Sequence, residues 1–157
     1  MVNKFKKIDQ EIDVTSKFLR KCNGKSTEIE AFLAQYLLVE IGATFESTIR
    51  QMVVDRAYKT RDLGLTTFIG EIMEGVNSLS VNDIRGNILR RFSEEFVKAF
   101  DSELPSDSAV ISKYNNIVIN RHKAAHGGKI EMTYEEVVQS YRESRKVIRL
   151  IAKILHQ

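Results

Sequence analysis

The sequence predicts an all-α fold, and three observations carry that expectation. Apolar residues recur at spacings of three and four over long stretches, proline occurs once, at Pro105, and no run alternates as a half-buried strand would. Of 157 residues, 43% are hydrophobic and 29% charged, which suits a folded core and is too apolar for a disordered chain. No internal repeat, low-complexity tract or composition shift divides the chain, so one domain over residues 1–157 is expected.

A first helix is predicted from Val2 to Lys21, with Asn23-Gly24 suited to ending it. Thr27 and Glu30 have the spacing of a capping box and open a long second helix. Its apolar face runs through Leu33, Leu37, Ile41, Phe45, Ile49, Met52 and Val53, and Gly42 in the middle predicts close approach of a neighbouring helix. From Lys59 to Ser80, Gly64, Gly70 and Gly75 interrupt a moderately apolar stretch with room for one short helix, and irregular structure is expected.

A further helix is predicted from Asn82 to Phe100, where Ile84, Ile88, Phe92, Phe96 and Phe100 recur every fourth residue. Asp101 to Ser108 reads as a loop in which Ser106, Asp107 or Ser108 caps the next helix, which Gly127-Gly128 ends near His126. Thr133 and Glu136 form another capping box, and a last helix follows with Val137, Tyr141, Ser144, Ile148, Ile151 and Leu155 on one face. The sum is a bundle of four to five helices.

A formal charge of +3 is compatible with a polyanionic partner but is weak for a dedicated duplex-DNA binder. Cys22 is a lone cysteine, the N-terminus leads into no apolar run, and nowhere do eighteen apolar residues occur together. A cytoplasmic protein with no membrane span is expected. His122 and His126, four apart, could meet one metal ion, but the carboxylate pattern of a His-Glu-x-x-His enzyme is missing; no metal and no cofactor are expected.

Four residues stand out chemically. The apolar stripe through Ile111, Tyr114 and Val118 leads at the same spacing to Arg121 and Ala125, which sets a guanidinium where a core residue belongs. Such a group needs a compensating anion, either an internal carboxylate or a ligand, unless it snorkels to the surface. His126 sits in the last turn before the glycines, where the helix dipole favours the imidazolium; it reads as a general acid or base, or as a C-terminal cap. Five helical residues set Arg121 and His126 about 140° apart, so the Arg must curl or the helix loosen for the two to cooperate.

Glu46 follows Val39 and Gly42 on a stripe that continues to Ile49 and Val53. It can pair with Arg121 or orient His126, or it can form an exposed pair with Arg50; Glu40 is a weaker candidate for the same role. Arg142, Arg145, Lys146, Arg149 and Lys153 share one face of the last helix, either a track for an RNA backbone or a solvated surface.

The stretch Asn120-Arg121-His122-Lys123-Ala124-Ala125-His126-Gly127 resembles the signature of the HEPN superfamily: Arg, a polar residue, three more residues, then His, often followed by Gly. Ala43-Thr44-Phe45-Glu46-Ser47-Thr48-Ile49 resembles the acidic segment of prokaryotic RiboL-PSP-type HEPN proteins, and the likeness extends over nearly the whole chain. It implies that Arg121 binds a scissile phosphate, that His126 transfers protons and that His122 shapes the site, in a metal-independent ribonuclease.

Such proteins serve as toxins or in antiphage and abortive-infection systems, usually as homodimers whose two motifs meet in one cleft. The resemblance therefore implies RNA, a second copy, and an antitoxin or associated defence protein as partners. Other members have lost catalysis and act as binding modules for nucleic acid, nucleotide or protein. Toxins regulated by a nucleotidyltransferase carry Tyr two residues after the motif His; Gly128 stands there in this chain, which argues against that subtype.

Overall fold

The computed structural model describes residues 2–22, 28–76 and 79–156, with side chains from Phe5 onward. Its elements are α1 (Val2–Lys21), α2 (Glu28–Tyr58), α3 (Leu63–Glu74), the composite α4 (81–92), α5 (Glu94–Glu103), α6 (Ala109–Ala125) and α7 (Tyr134–Leu155). The all-α class holds, with seven helices among the described residues in place of four to five. The expected stop at Asn23-Gly24 and the Thr27 cap lie outside the described residues.

Both additional helices have local causes. Residues 63–74 are helical, not irregular, because the Asp62 carboxylate accepts the Leu65 N–H at 2.9 Å as N-cap. Gly64 and Gly70 each cost about 1 kcal/mol in such a helix, offset here by Ile69 and Met73 packing on the core. The expected helix from Asn82 to Phe100 is divided at Ser93, whose backbone is extended and whose hydroxyl accepts the Glu95 N–H to start α5. Within α4, a Ser80–Asp83 capping box opens the helix, and Ile84–Leu89 is wound as a π-helix. Phe92 and Phe96 keep their rings together across the break, both beneath the Arg56 guanidinium.

The core is organised on α2, which packs against α1, α3, α6 and α7. Phe45, 1% exposed, stacks on Tyr114 of α6 at 5.5 Å and on Tyr141 of α7 at 6.2 Å between centroids. Burying a ring of this size stabilises the fold by roughly 2–3 kcal/mol from area alone. The predicted face of α7 is buried in full, from Val137 through Ser144 to Leu155, and the Thr133–Glu136 box is formed. α1 closes one side through Phe5, Ile8 and Ile12, with the Tyr141 hydroxyl donating to Asp9 Oδ1 at 3.0 Å.

Gln35 of α2 reaches Ala124 of α6, while Gly42 and Glu46 meet Arg121, so the two helices run in opposite directions. Their shared seam holds the residues singled out above.

Candidate active site

The end of α6 is set by its backbone. The Gly128 N–H donates to Lys123 O at 2.8 Å and the Gly127 N–H to Ala124 O at 3.2 Å, the two bonds of a Schellman motif. Gly127 takes a φ of +71°, which a side chain would strain. His126 is thereby fixed as the C-cap, exposed, with its N–H directed back to the His122 and Lys123 carbonyls. The rings of His122 and His126 meet edge to face with centroids 4.5 Å apart, both on the solvent side of the helix.

Arg121 faces the other way. Its aliphatic stem lies across Gly42, and a Cβ built at residue 42 would stand 2.6 Å from Arg121 Cγ. The close approach expected at Gly42 is therefore made by the arginine itself. Beyond Gly42, an Arg121 Nη donates to Glu46 Oε2 at 3.2 Å, with the two side chains 24% and 13% exposed. Of the alternatives open for Arg121, the internal carboxylate is the one realised, and Glu46 supplies it. The Arg121 Nε–H is buried and meets no acceptor among the described residues, a cost of about 1–3 kcal/mol for a group left in this state. Beneath the pair, the buried Tyr114 hydroxyl is held protonated, first by burial and then by the negative charges of Glu46 and Asp83.

The buried stripe of α6 differs from the expected one. It runs Ile111, Tyr114, Ile117, Asn120 and Ala124, so the expected Ile111 and Tyr114 are buried, whereas Val118 is half-buried and Ala125 exposed, because α6 packs on α7 as well as on α2. Arg121 consequently sits at the edge of the packed face, not at its centre.

Asn120 was not singled out by spacing. Only 7% exposed, it donates to Asn116 O at 3.0 Å and accepts the Glu131 N–H at 3.2 Å, pinning the segment after the glycines against α6. Lys123 and Glu131 add an exposed ion pair across the same turn. Gln35 also went unnoticed; its amide donates to Ala124 O at 3.2 Å and satisfies one of the terminal carbonyls of α6. The available signal for Asn120 was its place three residues after Ile117 and four before Ala124, since a buried amide must find partners.

Outside the seam, Phe32, Tyr36 and Ala43 on α2 and Ile119, His122, Ala125 and His126 on α6 are exposed. Glu40 bonds Lys7 at 3.1 Å, away from Arg121. In the basic row of α7, Arg145 is committed to Asp9 and Lys153 to Glu103, while Arg142, Lys146 and Arg149 remain exposed. Among the described residues, no group of three or more His, Cys, Asp or Glu is placed to hold one metal ion, and no helix is long and apolar enough to cross a membrane.

The chain is an all-helical bundle whose penultimate helix carries an inward Arg121 and, five residues later at its end, an outward His126. The chain belongs to the RiboL-PSP-HEPN family, whose model matches residues 3–157. Membership of a HEPN family points to nucleic-acid-related work. No curated protein and no solved structure matches the chain.

Proposed function

We propose that the protein is a metal-independent endoribonuclease that cleaves RNA by attack of a ribose 2′-hydroxyl on the adjacent phosphate, in a toxin, antiphage or stress-response setting. The observation that carries this reading is Arg121, a cation held at the α2–α6 seam by Glu46 with a buried N–H still to be satisfied. The Arg121 side chain is 24% exposed, so an anionic oxygen arriving at the seam can reach its charge, and the phosphorane has more negative charge to offer than the phosphate that precedes it. Glu46 is a positioning residue that fixes the guanidinium.

The reaction also needs a base for the 2′-oxygen and an acid for the departing 5′-oxygen. Within one chain Arg121 points to α2 and His126 to solvent, so one copy supplies the two groups on different sides of α6. A homodimer that buries the apolar surface around Ile119 and Tyr36 brings two imidazoles and two guanidinium groups to one cleft. His126 then moves the protons and His122, in contact with its ring, shapes the site.

The deciding experiment is incubation of the purified protein with RNA in EDTA. Cleavage that leaves a 2′,3′-cyclic phosphate supports the proposal. The second reading, a silent HEPN module that binds nucleic acid, nucleotide or protein, is favoured by the neutralisation of Arg121 by Glu46. Intact RNA with measurable binding would select it.

A further inference from the structure

We propose that His122 and His126 form a chelating site for a divalent transition-metal ion such as Zn²⁺, and that a bound ion silences the protein by taking His126 out of proton transfer. The site stands on geometry, whereas its effect on cleavage rests on the ribonuclease reading above. Residues four apart on a helix lie one above the other, and these two rings already meet with centroids 4.5 Å apart. Two imidazole nitrogens held 2.0–2.1 Å from one tetrahedral ion set their ring centroids about 5 Å apart. Closing on an ion therefore asks for side-chain rotation and no movement of the backbone.

Nothing in the chain competes for the ring nitrogens. Both residues are exposed, and among the described residues neither ring enters a hydrogen bond or an ion pair. His156, by contrast, holds its Nδ1 3.3 Å from Lys59 Nζ. The turn that carries the pair is fixed by the Gly127 and Gly128 N–H bonds, and the negative end of the helix dipole favours a cation there. Lys123, between the two in sequence, has its charge offset by Glu131 at 3.2 Å.

Ligand type and number decide which ion binds and how firmly. Imidazole suits Zn²⁺, Cu²⁺ and Ni²⁺, whereas Mg²⁺ and Ca²⁺ take oxygen ligands. A resident zinc has three or four protein ligands, and no group of that size is present among the described residues. Two ligands make a site that fills and empties with the free ion, which suits regulation of a reaction that itself needs no metal. An ion on the His126 ring occupies the nitrogen that must take up and release a proton.

Titration of Zn²⁺ alone into the full chain, stripped with EDTA and carrying Cys22→Ser, tests the site by calorimetry. Cys22 is exposed, and its replacement removes a competing thiol. Adding His122→Asn, which keeps a polar residue at that position, is expected to weaken binding about tenfold or more, because one arm of the chelate is lost. Millimolar Mg²⁺ should not displace the zinc. Equal binding with and without His122→Asn, or no binding at all, overturns the site.

Cleavage is then read with each protein set against its own rate in EDTA. Saturating Zn²⁺ should slow the Cys22→Ser chain about a hundredfold or more, as loss of an acid/base group does, and the same concentration should slow the His122→Asn form far less. A filled site with undiminished cleavage overturns the regulation. Absence of cleavage in EDTA defeats the ribonuclease reading and the regulation with it, while the site is decided by the binding measurement.

Discussion

Arg121 occupies the space that a side chain at Gly42 would need: its Cγ lies 2.6 Å from where a Cβ would be. The absence of a side chain on one helix is the condition for the cation on the other to lie flat along the seam and reach Glu46. Gly42→Ala should raise intrinsic helix stability by about 1 kcal/mol, yet the forced contact should cost about 1–3 kcal/mol. The expected outcome is a small fall in melting temperature and a loss of cleavage approaching that of Arg121→Ala. Unchanged cleavage in a folded Gly42→Ala would show that the seam position of Arg121 is not needed.

Arg121→Ala and His126→Ala should each reduce cleavage about a hundredfold or more, with the double variant little worse than either single one, as expected of groups sharing one transition state. Melting curves must accompany the rates, because Arg121→Ala leaves Glu46 without its cation. A lowered melting temperature with His126-dependent cleavage intact per folded molecule would reduce Arg121 to a structural partner.

The proposed catalytic arrangement requires a homodimer through the surface around Ile119 and Tyr36, outside the seam. Light scattering is expected to return twice the mass of one chain at tens of micromolar, well above the dissociation constant of a typical specific interface. Ile119→Glu should then give monomers without cleavage. An active monomer would remove the need for a composite site.

Asn120→Ala should lower stability by roughly 0.5–1.5 kcal/mol, since the part-buried bond that the Glu131 N–H donates to Asn120 is lost. Amide hydrogen exchange supplies the check: protection at Glu131 should fall well before that of the α7 interior. Equal protection in both proteins would mean that the turn is held by other contacts.

Glu136 gives stability an acid limb. Its carboxylate accepts first the Thr133 backbone N–H and then the Thr133 hydroxyl, which holds its pKa below the ordinary value of 4.5. A depressed folded pKa means that the contribution is complete above the ordinary value and is lost as pH falls through the folded one. Glu136→Gln should therefore flatten the fall in melting temperature below about pH 4.5. An identical acid limb in both proteins would discount the capping box as its source.

Most helices were legible because their signals are local. α1 follows from apolar spacing, α6 and α7 from apolar spacing with stop and cap residues, and Gly42 announced a close contact through its lack of a side chain. Residues 63–74 misled because glycine measures helix cost in isolation, whereas Ile69 and Met73 are paid back by tertiary packing that no short window contains. The division at Ser93 was hidden by the four-residue spacing of Phe92, Phe96 and Phe100, which survives the extended residue. At the site, Arg121 and Glu46 were visible as inward charges on predicted stripes. Asn120 and Gln35 were not, because their roles depend on backbone atoms of other segments, and those partners emerge only when the chain is folded.

The π-helical turn from Ile84 to Leu89 has a consequence for how the chain tolerates changes in length. A π turn holds one residue more than an α turn needs for the same hydrogen-bonded closure, so it can be read as an insertion stored inside a helix. Gly86, with open space around its Cα, is the residue most easily given up. Deleting it should convert the segment to regular α-helix and leave Val81 and Phe92 at the ends of one continuous rod. In a lineage of such chains, gains and losses of single residues would then accumulate in α4 while the Arg121–His126 interval stayed constant.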